Sequence, residues 1–167
     1  REEGLISKVG AGMSNAPALE RIVRETTVDE IMLAGRYTLM DRSAADSLLP
    51  ICLEKKVNVV AVGVYGSGLL ADPKPGAYYD YRAATDDEID TAVDFRDAFA
   101  QHGIPLQAAA IQFPLQHPAI SSVGIGARNA TQSKGNIDFF NWNIPSALWR
   151  ELKAPASIRN SRGIGDM

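Results

Sequence analysis

The segment Ser121-Ser122-Val123-Gly124-Ile125-Gly126-Ala127-Arg128-Asn129, with Asn136 shortly after it, indicates how this chain folds. Its pattern predicts a buried strand, a turn of small residues and then a helix. This order is typical of a phosphate-binding βα loop, because an anion placed there meets N–H groups at the helix N-terminus. Gly126 and Ala127 let the backbone approach closely, and Asn129 is placed to cap the helix.

The same strand-to-glycine pattern occurs three more times upstream, at 9–12, 31–35 and 59–68. Hydrophobic spacing then predicts strands over 6–11, 30–34, 58–64 and 121–125. It predicts helices over 15–25, after a Ser43 cap, over 85–102, from Pro105, over 130–139 and from Pro145. The strand at 58–64 is continuously apolar, as expected of a parallel strand covered on both faces. The chain is therefore predicted to be a run of βα units with four parallel strands.

One long stretch, 65–84, fits no element and contains several glycines and prolines. A loop of this length inside a compact domain is more often functional than accidental. It ends at Thr85, where Thr85 and Glu88 have the spacing of a helix capping box.

Composition limits the function classes. The 167 residues are 46% hydrophobic and 22% charged, which suits one soluble domain, predicted over 1–153, with a disordered tail over 154–167. The net charge of -3 gives no reason to expect a nucleic-acid partner. The single cysteine, Cys52, is predicted to be buried and precludes an internal disulfide or a CxxC metal site. No apolar run is long enough for a membrane span, so a cytoplasmic location is predicted.

Two architectures remain open from these patterns, a doubly wound sheet and part of a (β/α)8 barrel. Whole barrels take about 250 residues, so four units in this length correspond to half of one. A doubly wound dinucleotide domain is less favoured, because Gly10-Ala11-Gly12 matches its glycine motif only in part. Both architectures place ligands at the carboxyl ends of the strands, where the glycines fall.

The first four residues, Arg1-Glu2-Glu3-Gly4, have the pattern of a helix end with glycine after it. No initiator methionine precedes them. We therefore expect this chain to be the back portion of a longer protein.

Four segments, taken in order, resemble the aldo-keto reductases, and within them the D-threo-aldose 1-dehydrogenase, L-fucose dehydrogenase and pyridoxal 4-dehydrogenase group. They are LAGRYTLMD at 33–41, SGLLA at 67–71, IQFPLQHP at 111–118, and GAR at 126–128 with Asn136. The resemblance implies an α/β fold, the C-terminal half (strands five to eight) of a (β/α)8 TIM barrel. It also implies an NAD- or NADP-dependent oxidoreductase that acts on a sugar or small aldehyde.

The resemblance further implies where a dinucleotide binds. In the family, the residues after the fifth strand hold the nicotinamide carboxamide, and a ring after the seventh strand stacks on nicotinamide. Here Val62 occupies the usual place of that ring, which leaves Tyr65 to supply it. The implied cofactor residues are Ser14, Asn15, Tyr65, Gly66, Ser67, Gly68, Gly126, Ala127, Arg128, Gln132 and Asn136. Gly126 and Gln132 stand where NADP-dependent members often carry cations, so NAD is slightly favoured, although Arg128 is able to replace them in part.

No catalytic residue is assigned. The family's proton-donor tyrosine and its aspartate, lysine and histidine partners sit on the first four strands, which this chain lacks. His102 and His117 are not at strand ends and are predicted to have structural or surface roles. An alternative function is a truncated, inactive half barrel that binds nucleotide or self-associates through its exposed strand edges.

Three further groups allow two interpretations each. Arg36 and Asp41 are either a solvated ion pair or a contact to substrate or cofactor. Tyr78, Tyr79 and Tyr81 either line a sugar pocket or cover the loop. The acidic run at 86–90 is predicted to cap a helix rather than to bind a metal, and Trp142 and Trp149 are predicted to pack.

Overall fold

The computed structural model describes residues 3–152, so the tail predicted over 154–167 lies outside the described residues. Within this range the chain alternates strands and helices. The elements are β1 Gly10–Met13, α1 Ala16–Glu25, β2 Glu30–Ala34, α2 Leu48–Lys55, β3 Asn58–Val62, β4 Tyr78–Tyr79, β5 Arg82–Ala83, α3 Asp86–Ala100, α4 Leu106–Gln112, β6 Ile120–Gly124, α5 Ala130–Phe140 and α6 Ser146–Leu152.

Four of the strands form one parallel sheet in the order β1-β2-β3-β6, which confirms the predicted run of βα units. Burial alternates along the central strands. Ile31 and Leu33 of β2 are almost fully buried, whereas Met32 between them is 48% exposed. Val59 of β3 is likewise buried, and Val60 beside it is only partly covered. The helices therefore cover one face of the sheet and leave the other open, as in a segment of a barrel; a doubly wound sheet carries helices on both faces.

Helix caps explain where three helices begin. The Asn15 side chain accepts a hydrogen bond from the Ala18 N–H at 3.0 Å and starts α1. Thr85 starts α3 through the predicted capping box, with both of its reciprocal bonds to Glu88 present. Asn129 accepts from the Gln132 N–H at 2.9 Å and starts α5, as predicted. Each cap satisfies a backbone donor that the first helical turn leaves without a partner.

Two predicted boundaries are wrong. The first strand begins at Gly10 rather than at residue 6, and Leu5 and Ile6 are 81% and 52% exposed. β2 begins at Glu30, opposite Gly10, so the residues well before Gly10 have no β2 residue to pair with. Similarly, β3 ends at Val62 rather than at residue 64, because Gly63 turns the chain with φ +68°.

The predicted Ser43 cap is also wrong. Ser43 lies in a 3-10 turn, Ser43–Ala45, and its hydroxyl donates to Asp41 at 2.6 Å instead of capping a helix. The helix α2 begins further on, at Leu48. A serine near a carboxylate two residues away prefers that local bond, which competes with the cap.

The long 65–84 stretch is more ordered than its composition suggests. It starts with a 3-10 turn, Gly66–Gly68, and contains the hairpin β4–β5. The two residues between the hairpin strands, Asp80 and Tyr81, have φ +48° and +65°. Two left-handed residues in succession make the kind of turn whose twist matches a hairpin.

The core lies between the covered sheet face and the helices. Phe99, Phe113 and Trp149 form a ring cluster, with Trp149 6.1 Å from Phe99 and 6.4 Å from Phe113 between centroids. The packing role predicted for Trp149 is confirmed, whereas Trp142 is 41% exposed. Cys52 is fully buried as predicted, and burial raises the pKa of its thiol to about 11.

Candidate functional site

A cleft of about 1020 Å³ lies between the loop after β3 and the N-terminal half of α5. Most of the residues that the sequence assigned to a cofactor line it, although they come from two parts of the chain. These are Tyr65, Ser67, Gly68, Gly126, Ala127, Arg128, Gln132 and Asn136. The structure therefore brings the glycine loop after β3 and the βα loop after β6 to one place.

Tyr65 joins the two walls of this cleft. Its hydroxyl donates to Asn136 Oδ1 at 3.0 Å, which links the loop after β3 to α5. Burial raises the pKa of Tyr65 to about 12, so the phenol stays protonated as this donor at neutral pH. The family resemblance implied that the Tyr65 ring stacks on nicotinamide and that Asn136 is a further cofactor residue. In the structure Tyr65 and Asn136 line the cleft together, and Ser14 lines a smaller space described below.

The N-terminus of α5 forms the other wall. Asn129 accepts from the Gln132 N–H, and the Gln132 side chain accepts from the Arg128 N–H at 2.8 Å. Asn136 donates to the Gly126 carbonyl at 3.4 Å, and a Cβ on Gly126 would meet nothing within 4 Å. This leaves open space beside a helix N-terminus, whose partial positive charge favours an anion.

The backbone amides of the glycine loop have other partners. The N–H of Gly66 donates to the Gly63 carbonyl at 2.9 Å, and the N–H of Gly68 donates to the Tyr65 carbonyl at 3.1 Å. Ser67 accepts from the Tyr81 N–H at 3.0 Å through its hydroxyl oxygen. These two amides are therefore already bonded within the loop, whereas the Ser67 hydroxyl keeps a proton that it can donate.

A smaller hollow of about 150 Å³ lies at the carboxyl ends of β1, β2 and β3. Of the predicted cofactor residues, Ser14, Gly66 and Ser67 line it. Ser67 lines both spaces, so the hollow adjoins the cleft. Asn15 is absent from the lining of both, because its side chain caps α1.

Arg36 forms the most connected polar group in the hollow. Its guanidinium donates to the Ser14 carbonyl at 2.9 Å, to Asp41 at 3.1 Å and to Asp80 at 2.8 Å. The Asp80 bond is the main reason that the pKa of Arg36 is raised. Burial opposes the charge on Asp41, but bonds from Ser43 and Arg36 outweigh it and lower the pKa of that carboxyl. Arg36 and Asp41 are only 25% and 20% exposed, so this is not a solvated surface pair.

The three tyrosines differ in their exposure and in which of the two spaces they line. Tyr79 packs onto the backbone of Gly66, where an added Cβ would lie 2.9 Å from two atoms of its ring. Tyr78 is 58% exposed and lines the cleft, and Tyr81 is 87% exposed and lines the hollow. Tyr79 also lines the hollow, so each of the three borders one of the two spaces.

The histidines lie away from both spaces. His117 accepts from the Ala119 N–H through Nδ1 at 3.2 Å, and its ring meets the edge of Tyr37 at 5.4 Å. His102 lies on the surface after α3. Among residues 3–152 no cluster of three side chains is arranged to hold a metal ion. Within the same part of the chain, no helix has the length and apolar character needed to cross a membrane.

Several lining residues were not found from the sequence. Lys74 and Asp72 pair with each other at 2.5 Å on the cleft wall, and Gln107 donates to the Ala71 carbonyl at 2.6 Å beneath it. Lys74 had one available signal, since it lies between two prolines of a loop judged functional. Asp80 had none, because only the folded hairpin brings it to Arg36.

Comparison with known proteins gives the relatives of this chain. The sequence model of the aldo/keto reductase family matches residues 1–156. The chain is 42% identical over 154 residues to a D-threo-aldose 1-dehydrogenase from a Pseudomonas species, covering 91% of this chain and 47% of that protein. It is 34% identical over 159 residues to a pyridoxal 4-dehydrogenase from Microbacterium luteolum, covering 95% and 46%. The chain thus spans about half the length of the curated relatives it matches.

Solved structures share the fold. An aldo-keto reductase from Bacillus halodurans in its apo form superposes with a TM-score of 0.72 at 25% identity, covering 90% of this chain and 51% of that one. The glycerol dehydrogenase from Gluconobacter oxydans gives a TM-score of 0.69 at 18% identity, with 99% and 53% covered. The match to the family model extends over most of the sequence. The chain therefore belongs to the aldo/keto reductase family.

Proposed function

We propose that this chain is the strand five to eight half of a (β/α)8 oxidoreductase that uses NAD or NADP to oxidise or reduce a sugar or small aldehyde in the cytoplasm. Three observations support the proposal. Helices cover only one face of a four-stranded parallel sheet, the curated relatives include dehydrogenases of an aldose and of pyridoxal, and the chain spans about half of them. The cleft that joins the β3 and β6 loops carries the cofactor part of the proposal.

The residues of the cleft fit a dinucleotide. A phosphate group suits the N-terminus of α5, where Gly126 leaves space and Asn129 orders the first turn. Arg128 lines the same wall and adds a cation. The hollow lined by Ser14 continues the space past Ser67, so an extended ligand is able to occupy both.

The bound nicotinamide would accept or donate the hydride, and this chain's residues would bind and orient the nucleotide. Asn136 is held by Tyr65 and presents its amide to the cleft. The Tyr81 N–H holds the Ser67 hydroxyl oxygen in place, and the hydroxyl proton remains to donate to a ligand. Among the described residues that line the hollow, Asp80 is paired with Arg36, and Tyr79 and Tyr81 lie on the hairpin rather than at the ends of the sheet strands. Proton transfer is therefore assigned to the other half of the barrel.

A fluorescence titration with NADH and NADPH tests this proposal, with Trp142 and Trp149 as reporters. We expect saturable binding of NADH that is at least as tight as binding of NADPH. Arg128→Gln is expected to weaken NADPH binding more than NADH binding, because the 2′-phosphate adds charge near the cation. Arg21→Gln, an exposed change on α1, serves as the control. If neither nucleotide binds, alone or after adding the strand one to four half of a relative, the proposal fails.

A second candidate is a self-associating half barrel. β1 and β6 each have a neighbour on only one side, and Met32 lies exposed on the open face. A groove of about 450 Å³ beside β6 exposes Ile137 and Phe140 of α5. Sedimentation velocity over a concentration series distinguishes the two candidates. Concentration-dependent dimers without nucleotide binding would favour the second, and a monomer would exclude it.

A further inference from the structure

The hairpin β4–β5 folds back over the ends of the sheet strands and closes one side of the hollow. Its tip is the pair Asp80 and Tyr81, and both residues line the hollow. The tip is separated in sequence from the loops it touches, since Arg36 lies 44 residues before Asp80. A two-stranded hairpin of this size is not stable by itself, so tertiary contacts must hold it.

Packing of Ala77, Tyr79 and Ala84 on the core holds the base of the hairpin, and a small set of polar contacts holds the rest. Asp80 accepts from Arg36 at 2.8 Å, and the Tyr81 N–H donates to Ser67 at 3.0 Å. Further back, the Tyr79 ring packs on Gly66, and Arg82 pairs with Glu88 at 2.6 Å. Of these, the Asp80 contact alone reaches the loop after β2, so it fixes the tip across the hollow.

The Arg36 guanidinium is suited to holding the hairpin tip because its planar N–H donors point in several fixed directions. One guanidinium reaches the Ser14 carbonyl after β1, Asp41 in its own loop, and Asp80 at the hairpin tip. Ser14 and Asp80 therefore keep a fixed separation, with the guanidinium between them. A lysine is unable to reproduce three bonds in these directions, because its ammonium is a single point on a flexible stem.

We propose that Arg36 is a positioning residue that clasps the hairpin tip over the hollow and thereby sets the affinity for the part of a ligand that lies there. The clasp rests on the proposed function only for the choice of ligand. It predicts two separate effects of opening the Arg36–Asp80 bond. The hairpin becomes mobile, and a nucleotide loses affinity at its nicotinamide end while the end near Asn136 is unchanged.

The first arm of the test measures the hairpin without any ligand. Chymotrypsin cleavage after Tyr81 is followed by mass for the parent chain, Asp80→Asn and Arg36→Lys. Because a partly exposed charge pair is worth up to ~1 kcal/mol, both variants are expected to be cleaved roughly fivefold faster, with the melting temperature lowered by no more than about 4 °C. Asp138→Asn, which breaks an exposed pair with Lys134, is the matched control. Cleavage of both variants within about twofold of the parent would overturn the clasp.

The second arm separates positioning from general stability. Affinity is measured for NADH and for ADP-ribose, which lacks nicotinamide. Asp80→Asn is expected to weaken NADH roughly fivefold and to leave ADP-ribose unchanged, and the Arg36→Lys/Asp80→Asn double variant should be no weaker than either single one. An equal loss for both probes would show a merely structural role and overturn the proposal. If the parent binds neither probe, the proposed function fails, and the cleavage arm decides the clasp by itself.

Discussion

Replacing Gly66 by alanine tests how the hairpin is seated on the glycine loop. Gly66 is buried and has φ +53°, a left-handed conformation that costs an alanine roughly 1–2 kcal/mol. A Cβ there would lie 2.9 Å from Cδ2 and Cε2 of Tyr79. Because carbon atoms prefer about 3.5–4.0 Å, the ring or the backbone must move by roughly 0.6 Å or more. Overpacking of this kind costs roughly 1–3 kcal/mol.

The two effects together predict that Gly66→Ala lowers the free energy of unfolding by about 2–5 kcal/mol. Gly103→Ala is the matched control, since Gly103 has φ +69° and nothing within 4 Å of its added Cβ. It is expected to show only the backbone cost, about 1–2 kcal/mol. Urea unfolding with both variants measures the difference, which belongs to the contact with Tyr79. The slope against urea should stay constant if only stability changes.

A double variant decides whether the ring is the cause. Tyr79→Ala removes the atoms that the new Cβ would meet, so Gly66→Ala should cost about 1–3 kcal/mol less in that background. If the two changes are additive within about 0.5 kcal/mol, the ring is not pressed against Gly66 and the seating of the hairpin has been misjudged.

Three further outcomes follow from local contacts. Cys52 is fully buried with the pKa of its thiol raised to about 11, so a thiol reagent at pH 8 should label it only after denaturant is added. Burial raises the pKa of Tyr65 to about 12. The stability that the neutral phenol contributes is therefore complete below the ordinary tyrosine pKa of 10.0, and it is lost as the pH rises through about 12. Tyr65→Phe should therefore flatten the loss of stability between pH 10 and 12 in a melting-temperature series. Thr85→Ala removes the cap of α3 and should cost about 1 kcal/mol in urea unfolding, whereas an unchanged midpoint would contradict the capping box.

Local signals in the sequence were enough to predict most elements. The caps Asn15, Thr85 and Asn129 are short-range chemistry, and each starts the expected helix. The start of β1 was predicted wrongly because a neighbouring strand determines where its pairing begins. Leu5 and Ile6 look like strand residues, but β2 begins opposite Gly10 and leaves them exposed without a strand to pair with. Whether an apolar stretch becomes a strand depends on what lies beside it, which spacing does not reveal.

The candidate site likewise combines local features, which the sequence reveals, with long-range contacts, which it does not. Glycines and an asparagine cap mark the cleft walls because they act through the local backbone, and the sequence therefore brought most lining residues to attention. The contacts between walls were not predictable. Tyr65 meets Asn136 across 71 positions, and Arg36 meets Asp80 across 44. Each pair needs two loops to be placed by the sheet before the side chains come within reach.

These two long-range bonds hold the cleft and the hollow independently of each other. Asn136 and Tyr65 tie the β3 loop to α5, so they set the width of the cleft. Arg36 and Asp80 tie the β2 loop to the hairpin, so they set the closure of the hollow. Ser67 lines both spaces and is held by the hairpin through the Tyr81 N–H. The Tyr65–Asn136 bond does not involve the hairpin tip, so opening the Arg36–Asp80 bond should loosen the hollow and leave the cleft end of a bound nucleotide unchanged.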